Sequence, residues 1–419
     1  MKNIVILGAG FGGLKAAMTL GKKAKRLAKQ GYKVILVDKN DYHTYTPTLY
    51  EISTTSKETA NYIDLKSVVT YPLEQILSKH QVEFIKDTVA NIDVRSGKIE
   101  LAQDGQLPYS HLIIALGAQT NYFGIEGLES KALTLKTFTD AIHIRDTILE
   151  KAQSASTHQE ISVVICGAGS TGVELSAELQ EWFAQLKREG VRCNMKTTLI
   201  EAAPNILGSL DKEVAKKAEK RLKKLGANIL TKVKVEKLRG NTINLSGDVR
   251  LRFDVLIWTG GIKANDLIRS LPFKFADDRG VEVEKTLKVK LANRRNKVVG
   301  DIYAIGDLAA FKSPRDRRFI PQVARGAISG GSIAAKNILL SLEGKKLVHF
   351  DPMHYPYVIP TGGKHAVAKI GPIIVSGLAG WILKGLIELN YLVSIMPVGQ
   401  ALQIWFKGLR IFIKNDRLG

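Results

Sequence analysis

The stretch that decides the fold is NIVILGAGFGG, residues 3–13. Its apolar first half predicts a short buried strand, and its second half matches the pattern G-x-G-x-x-G, which opens a helix in dinucleotide-binding units. Gly8 permits the tight turn, Gly10 lets the backbone approach a pyrophosphate, and Gly13 lets the helix pack on the strand. Free amides at the helix N-terminus then hold the phosphate charge.

The next predicted strand ends in an acidic residue, as such a unit requires. Residues 33–37 read KVILV, and Asp38 follows them. The Asp38 carboxylate can accept hydrogen bonds from a ribose 2′-OH. Its distance from the glycines exceeds the usual spacing of about 20 residues, because the helix region carries a basic insert, KKAKR, at 22–26. The role of that insert is left open.

The same pattern recurs in the middle of the chain. Residues 161–165 predict a strand, CGAGSTG at 166–172 repeats the glycine fingerprint, and a strand at 196–200 ends in Glu201. A carboxylate at that point favours NADH over NADPH, because it repels a 2′-phosphate and no arginine follows to bind one. Two dinucleotide sites in one chain indicate electron transfer between two cofactors, for which a flavin is the usual intermediary.

Length and composition limit the class of protein. The 419 residues exceed what one hydrophobic core organises, so two or three domains are expected. Only two cysteines are present, Cys166 and Cys193, which excludes a disulfide framework and a cysteine-ligated cluster, and we interpret both as structural. Histidine spacing predicts no metal site, and His43, His354 and His365 are expected at the surface or in loops.

The charge balance predicts an anionic partner. The chain has 61 Lys and Arg against 40 Asp and Glu, a net charge of +21. Nucleic acid and anionic membrane are the usual partners of so basic a chain. No nucleic-acid-binding module is recognisable in the sequence, so we expect a membrane surface and no nucleic acid.

Three further segments resemble the flavoproteins with two dinucleotide-binding domains, in the pyridine nucleotide-disulfide oxidoreductase superfamily. LIIALG at 112–117 is similar to the strand that returns the chain to the flavin domain, and VLIWTGG at 255–261 is similar to the exit from the nicotinamide domain. IYAIGD at 302–307 resembles the second flavin signature, whose aspartate contacts the ribityl chain. The resemblance implies an α/β chain with two Rossmann-like domains, the glutathione-reductase-like FAD/NAD(P) fold.

Within that superfamily the chain is most similar to the type II NADH dehydrogenases, the single-subunit NADH:quinone oxidoreductases. The similarity rests on DKNDYHTYTPTLY at 38–50, ALGAQTNYFG at 115–124 and GVEL at 172–175. It implies hydride transfer from NADH to FAD and transfer of two electrons to a membrane quinone, without proton pumping. Glu174 matches a family glutamate near the flavin–nicotinamide contact and is the predicted catalytic residue. Its alternative role is to begin the helix, where an acid suits the dipole.

The predicted contacts combine the fingerprints with the family resemblance. For FAD they are Gly8, Gly10, Phe11, Gly12, Gly13, Asp38, Lys39, Val89, Ala115, Gly117, Gly306, Asp307 and Ala324. For NADH they are Gly167, Gly169, Ser170, Thr171, Gly172, Glu174, Glu201, Gly260 and Gly261.

The predicted quinone site departs from the family pattern. The resemblance implies two glutamines in the helix after Pro321, where this chain has Arg325 and Ser329, and Gln322 is the nearest glutamine. These three residues are the predicted quinone contacts, and the substitutions leave the identity of the acceptor open. The alternative function is a protein that binds FAD and NADH but uses another acceptor, or a sensor or assembly protein with little turnover.

The expected domains are a FAD-binding domain from residues 1–120 and 290–340, an NADH-binding domain at 155–265 and a membrane-anchoring region at 345–419. No segment reaches the about 18 uncharged apolar residues of a spanning helix, and the longest apolar run stops at Lys384. With no spanning helix we expect no route for proton pumping. We expect a peripheral protein on the cytoplasmic side of the cell membrane.

The last predicted helix, after Pro397, has the pattern of a helix that lies in a membrane interface. Its apolar face comprises Val398, Leu402, Trp405, Phe406, Leu409, Phe412 and Ile413, and its basic face comprises Lys407, Arg410, Lys414 and Arg417. Ile404 and Ile411 lie off the apolar face. The alternative is that this face packs on the protein itself or on a second subunit, which would make the chain a homodimer.

Overall fold

The computed structural model describes residues 1–157, 159–276, 280–293, 295–313, 319–320, 322–352 and 356–415. The chain forms two compact units. Unit 1 comprises Met1–His43, Tyr71–Gln119 and Ile262–Tyr355, and unit 2 comprises Thr44–Thr70, Thr120–Gly261 and Pro356–Gly419. Residues 44–70 and the C-terminal segment thus group with the segment predicted to bind NADH. The assignment of FAD and NADH to domains stays a prediction.

The first half of the chain mixes strands and helices, with six consecutive strands between residues 83 and 120. In order they are β1 (Lys2–Leu7), α1 (Phe11–Gly21), α2 (Ala24–Lys29), β2 (Tyr32–Asp38), β3 (Tyr42–Thr44), α3 (Leu49–Ile52), α4 (Tyr62–Val69), β4 (Thr70–Pro72), α5 (Leu73–Leu77), β5 (Glu83–Lys86), β6 (Val89–Asp93), β7 (Lys98–Leu101), β8 (Gly105–Pro108), β9 (His111–Ile114), β10 (Ala118–Thr120), α6 (Leu128–Lys131), α7 (Phe138–Ser154), β11 (Glu160–Cys166), α8 (Ser170–Arg188) and β12 (Asn194–Glu201).

The second half ends in two long helices. Its elements are α9 (Lys212–Leu225), β13 (Asn228–Thr231), β14 (Val235–Arg239), β15 (Thr242–Leu245), β16 (Val249–Arg252), β17 (Val255–Trp258), β18 (Ile262–Ala264), α10 (Asp266–Arg269), β19 (Val281–Glu282), β20 (Asp301–Ala304), β21 (Ala309–Ala310), α11 (Ala324–Leu342), β22 (Tyr357–Pro360), β23 (Ala366–Ile370), β24 (Ile373–Gly377), α12 (Leu378–Ile395) and α13 (Val398–Asn415).

Unit 1 is organised by a five-stranded parallel sheet of order β20-β9-β1-β2-β5. Residues Ile4–Leu7 of β1 are fully buried, as expected for an apolar strand in the middle of a parallel sheet. Helix α1 packs closely on α11, because a Cβ at Gly331 would lie 2.1 Å from the carbonyl oxygen of Gly12. This contact explains why position 331 of α11 is a glycine.

Unit 2 is organised by a four-stranded parallel sheet of order β13-β12-β11-β17. An antiparallel sheet, β14-β15-β16, and a second one, β22-β23-β24, belong to the same unit. Its main core includes Trp182 of α8, Ile148 of α7 and Phe412 of α13. The C-terminal helices are therefore packed into unit 2.

Helix α12 corrects the sequence-based statement that no helix could span a membrane. Among the described residues, one helix, Leu378–Ile395, is long and apolar enough to cross a membrane by length and composition, and 22% of it is buried. Lys384, where the longest apolar run stops, lies inside this helix, pairs with Glu51 and is only 16% exposed. One such helix is weak evidence for a span.

Candidate functional site

The first glycine fingerprint joins β1 to α1 in the predicted conformation. Gly8 has a φ of +96°, and a Cβ there would lie 2.5 Å from the carbonyl oxygen of Ala115. A Cβ at Gly13 would lie 1.8 Å from the carbonyl oxygen of Gly8. Gly10, by contrast, has no other atom within 4 Å of its Cβ position and caps the N-terminus of α1. The two tight glycines shape the turn, and the open one leaves room for a phosphate.

Asp38 is tied to this loop. Its Oδ2 accepts the amide of Ala9 at 2.6 Å, and its Oδ1 accepts the amide of Asn40 at 2.8 Å. Burial raises the pKa of Asp38, and the two backbone bonds oppose that shift. Each carboxylate oxygen carries two lone pairs, so capacity for a ribose hydroxyl remains. Lys39 is exposed beside it.

The other predicted FAD contacts lie mostly at the same edge of the sheet. Ala115 and Gly117 follow β9, and Gly306 and Asp307 form a short 3-10 helix after β20. Strands β1, β9 and β20 are parallel neighbours, so their carboxyl ends meet at one edge, where such sheets bind ligands.

The remaining FAD predictions are placed differently. Phe11 and Gly12 lie in the first turn of α1, and Ala324 begins α11. Val89 begins β6, in the separate antiparallel sheet β6-β7-β8. Val89 also follows the carboxyl end of β5, the parallel neighbour of β2, by three residues, so its role as a FAD contact stays a prediction.

His43 was expected at the surface, and that prediction is wrong. The side chain is 1% exposed, its Nδ1 lies 2.9 Å from the carbonyl oxygen of Ala9, and its ring meets Phe11 edge to face at 5.0 Å. Burial lowers the pKa of His43 to about 4, so it is neutral at physiological pH. His43 thus contacts two residues of the fingerprint, Ala9 and Phe11, a role that no local sequence signal predicts. His365 is partly buried, and His354 lies outside the described residues.

The second fingerprint repeats the first. Gly167 has a φ of +107°, a Cβ at Gly172 would lie 1.9 Å from the carbonyl oxygen of Gly167, and Gly169 is open at the N-terminus of α8. Glu201 accepts the amides of Ala168 at 2.7 Å and Ala203 at 2.8 Å. The acid thus holds its glycine loop as Asp38 holds the first one.

The end of β17 completes this second site. Gly260 and Gly261 follow β17, the parallel neighbour of β11, and a Cβ at Gly261 would lie 2.6 Å from the ring of Phe123. Phe123 is 57% exposed and has a φ of +52°. Ser170 and Thr171 lie in the first turn of α8. The structure therefore gathers the predicted NADH contacts at one edge of the unit 2 sheet.

Glu174 lies beyond the first turn of α8, which contains no acidic residue. Its alternative role as a dipole-stabilising acid is therefore weak, because that effect fades within one turn. Burial raises the pKa of Glu174 to about 8, although part of the side chain remains accessible, and Lys384 opposes the shift while Glu51 adds to it. Glu51 and Lys384 were missed by sequence reasoning. The available sequence signal was the pair Lys384 and Glu388, two charged residues four positions apart in the otherwise apolar segment 378–395.

The predicted quinone contacts do not all line one pocket. The Nε2 of Gln322 donates to the carbonyl oxygen of Asp307 at 2.8 Å, and both residues line a pocket with about 370 Å³ of empty space. Arg325 is exposed and Ser329 is partly buried, and neither lines that pocket. Gln322 is thus the member of the predicted set that lies beside a predicted FAD contact. Pro321 lies outside the described residues.

Helix α13 only partly follows the prediction for an interfacial helix. Val398, Phe406 and Ile413 are exposed, but Ile411 and Phe412 are buried in unit 2. Lys407 pairs with Asp64 of α4 at 2.8 Å. Helix α12 adds further exposed apolar side chains, namely Leu378, Ile382, Leu386, Ile387 and Val393. The side chain of Lys414 and all of Arg417 lie outside the described residues.

Metal chemistry has no support in the described part of the chain. Among those residues there is no group of three or more His, Cys, Asp or Glu side chains that could hold a metal ion. Cys166 and Cys193 are free and buried, and burial raises the pKa of the Cys166 thiol to about 12.

Comparison with known proteins supports this geometry. The sequence profile of the pyridine nucleotide-disulphide oxidoreductase family matches residues 2–331. The chain is 28% identical to the type II NADH:quinone oxidoreductase Ndh of Mycobacterium tuberculosis, over 96% of this chain and 87% of that protein.

Two solved structures share the fold. NDH2 from Plasmodium falciparum in complex with NADH has a TM-score of 0.82 at 17% identity, over 100% of this chain and 99% of that one. The sulfide:quinone oxidoreductase from Aquifex aeolicus has a TM-score of 0.75 at 18% identity, over 99% of this chain and 96% of that one. At these identities the likeness shows the fold alone.

Proposed function

The chain belongs to the pyridine nucleotide-disulphide oxidoreductase family, and from this premise we propose that it is a type II NADH:quinone oxidoreductase. It oxidises NADH and passes two electrons through FAD to a membrane quinone, without pumping protons. The observation that carries the proposal is the pair of glycine fingerprints, each closed by a carboxylate bound to the loop's own alanine amide. The Mycobacterium tuberculosis relative, which aligns along nearly the whole chain, bears this activity in its name.

The residues of unit 1 fit FAD. The open space at Gly10, beside the tight turns at Gly8 and Gly13, is a cradle that any Cβ would narrow. The amides from Gly10 to Gly13 would hold the diphosphate, Asp38 a ribose and Asp307 the ribityl chain. When bound, FAD accepts a hydride from a nicotinamide and returns two electrons to an acceptor.

The residues of unit 2 fit NADH. The loop Gly167–Gly172 would bind its diphosphate at the N-terminus of α8, and Glu201 would accept from its ribose. Phe123 covers Gly261 and forms a wall at the edge of that site. Glu174, a few residues into α8, would lie near the nicotinamide and exchange protons there.

The proposed acceptor is a quinone in the membrane. Gln322, Arg325 and Ser329 are the sequence-based candidates for quinone contacts, with Arg325 and Ser329 in the places of the family glutamines. The exposed apolar side chains of α12 and α13, together with Arg410, would lie in an anionic membrane surface. Because NADH is a cytoplasmic reductant, the protein would be peripheral on the cytoplasmic face of the cell membrane. A second copy of the chain is the alternative occupant of this apolar surface, which would then make a homodimer.

Steady-state NADH oxidation with a water-soluble quinone analogue tests the proposal. We expect NADH to bleach the flavin absorbance and the quinone to restore it, with one quinone reduced per NADH. If NADH bleaches the flavin but the quinone neither restores it nor is reduced, the protein uses another acceptor. If NADH does not bleach the flavin at all, the proposed enzyme activity is wrong.

A further inference from the structure

A buried ion pair in unit 2 leaves one carboxylate oxygen without a donor. Lys384 Nζ of α12 pairs with Oε1 of Glu51 in α3, and their side chains are 16% and 5% exposed. Glu51 Oε2 has no hydrogen-bond partner among the described residues. A buried oxygen left unpaired costs about 1–3 kcal/mol, so it marks a place where a ligand or water donates.

The same ion pair forms part of a pocket wall. Glu51, Lys384 and Glu388 line a pocket with about 580 Å³ of empty space, open to solvent. The remaining wall is largely apolar and comprises Trp381, Ile382, Leu386, Trp405, Leu409 and Phe412. Trp405 is held in place because its Nε1 donates to the carbonyl oxygen of Gly385 at 2.8 Å. Apolar walls with a few convergent polar groups are typical of sites for small organic ligands.

The cluster has one lysine for three carboxylates. Lys384 and Glu51 act electrostatically on both Glu174 and Glu388. Burial raises the pKa of Glu388 to about 7, with Lys384 opposing the shift and Glu51 adding to it. A half-buried site cannot stabilise three negative charges with one positive charge, so a glutamate holds a proton near neutral pH.

The neighbouring charged groups have other partners. Lys369 of β23 pairs with Asp211, Lys407 of α13 pairs with Asp64, and the hydroxyl of Tyr357 in β22 accepts the amide of Asp211. Arg410 of α13 is exposed, and β24 contains no titratable side chain. Tyr391, on α12 itself, stacks on Tyr45 at 5.2 Å. Lys384 and Glu51 are therefore the charges that govern Glu388.

We propose that Glu388 is a catalytic proton donor to the quinone, and that Lys384, held by Glu51, donates a hydrogen bond to the acceptor oxygen in this pocket, while the free Glu51 oxygen accepts from the quinol hydroxyl that forms. The inference rests on the proposed function. Reduction of a quinone to a quinol takes two electrons and two protons. The hydride of NADH supplies both electrons and one proton, and the second proton comes from water through Glu388. Glu388 transfers its proton to a quinone oxygen and regains one from solvent at the open pocket. Lys384 stabilises negative charge that develops on that oxygen.

Two acceptors of different chemistry separate this role from a structural one. A quinone takes up protons when it is reduced, whereas ferricyanide takes up electrons alone. The variants are Glu388→Gln, which keeps size and hydrogen bonding, and Glu388→Asp, which keeps the acid. Glu58→Gln, an exposed glutamate of the same unit, is the matched control. Each holoenzyme is assayed from pH 5.5 to 9 with both acceptors at saturating NADH.

With quinone, we expect wild-type kcat to fall as pH rises through about 7, because the donor must be protonated. Glu388→Gln should lower that kcat at pH 6 by about 100-fold, within the usual range for general acid catalysis, and should lose this pH dependence. Ferricyanide reduction and flavin content should match the control. Glu388→Asp should recover most of the activity with a shifted pH profile.

If Glu388→Gln has the same kcat and pH profile as the wild type with quinone, the inference is overturned and the proposed function stays intact. An equal loss with ferricyanide would also overturn it, because the defect would then precede proton transfer. If Glu388→Gln loses its flavin, the test rests on Glu388→Asp. A pH profile of Glu388→Asp that is not shifted from the wild-type profile would contradict the proposal. If wild-type enzyme reduces ferricyanide but no quinone, the proposed function itself fails.

Discussion

At the scale of single residues, the acids at the strand ends are predicted to bind ribose and also form hydrogen bonds within the protein. Asp38 and Glu201 each accept the amide of the alanine inside the neighbouring glycine fingerprint, at 2.6 and 2.7 Å. A charge-assisted hydrogen bond of this kind is stronger than a neutral one, so the carboxylate also holds the phosphate loop in shape. Substitution of either acid is therefore expected to affect loop geometry as well as ribose recognition.

We expect the enzyme to prefer NADH to NADPH, and Glu201→Gln to narrow the preference by about tenfold, equivalent to about 1.4 kcal/mol. The amide removes the charge that repels a 2′-phosphate but keeps one acceptor for the Ala168 amide. Comparison of kcat/KM for the two donors measures the effect, with Glu213→Gln on the exposed face of α9 as the control. Equal use of both donors by the wild type would remove this role from Glu201.

Glu174 should make stability depend on pH. Its pKa is about 8 in the folded protein against an ordinary value of 4.5. Between these two pH values the folded state binds more protons than the unfolded state, so this group lowers stability as pH rises. Glu174→Gln should therefore gain stability relative to wild type from pH 5.5 to pH 8.5. Thermal midpoints at both pH values test this, and a constant difference would contradict it.

At the scale of elements, glycines set how closely α1 and α11 approach. A Cβ at Gly331 would lie 2.1 Å from backbone of α1, whereas a Cβ at Gly330 would meet only side-chain atoms at 3.7 Å and beyond. Two adjacent glycines in one helix thus have different roles. Only position 331 requires a glycine, because a side chain there would strike backbone atoms that cannot move aside.

Gly331→Ala should destabilise unit 1 by about 2 kcal/mol, within the usual cost of overpacking, and should reduce bound flavin. Gly330→Ala is the matched control and should be neutral or slightly stabilising, since alanine favours helices. The thermal midpoint and the flavin-to-protein absorbance ratio measure both. Equal behaviour of the two variants would contradict the close packing of α1 on α11.

The C-terminal helices should bind anionic membrane through their exposed apolar side chains. Phe406→Ser and Ile413→Ser together should reduce flotation with anionic liposomes severalfold, because both side chains are exposed on α13. High salt should weaken the binding of wild type without abolishing it, since salt screens charge but not apolar burial. Val249→Ser, an exposed valine on β16, is the control. If the double variant floats as well as the wild type, these side chains do not bind the membrane, and an interface with a second subunit explains their exposure better.

At the scale of the whole molecule, two units repeat one ligand-binding design. Each has a parallel sheet, a glycine turn with an open central glycine and an acid at the end of the next strand. The C-terminal segment from residue 356 belongs to unit 2, as does the segment 44–70. These two segments bring Glu51, Lys384 and Glu388 into one pocket.

We expect one non-covalent FAD per chain. The histidine beside the first fingerprint, His43, is buried and hydrogen-bonded to the carbonyl oxygen of Ala9, so it is not free to form a covalent bond. Acid precipitation should release all the flavin, and chromatography of the supernatant should identify FAD. Flavin retained in the pellet would contradict the non-covalent site, and FMN in the supernatant would contradict the dinucleotide fingerprint.

The sequence by itself determined both fingerprints, both terminal acids and the α/β class, because strand, glycine turn and helix are specified by residues near one another in the chain. The burial of His43, the packing of Phe412 and the pairing of Lys384 inside α12 depend on the tertiary structure. Glu51 and Lys384 are 333 residues apart, and only the fold shows that one neutralises the other. The energy of a buried charge depends on the partner that folding supplies, and no local pattern reports that partner.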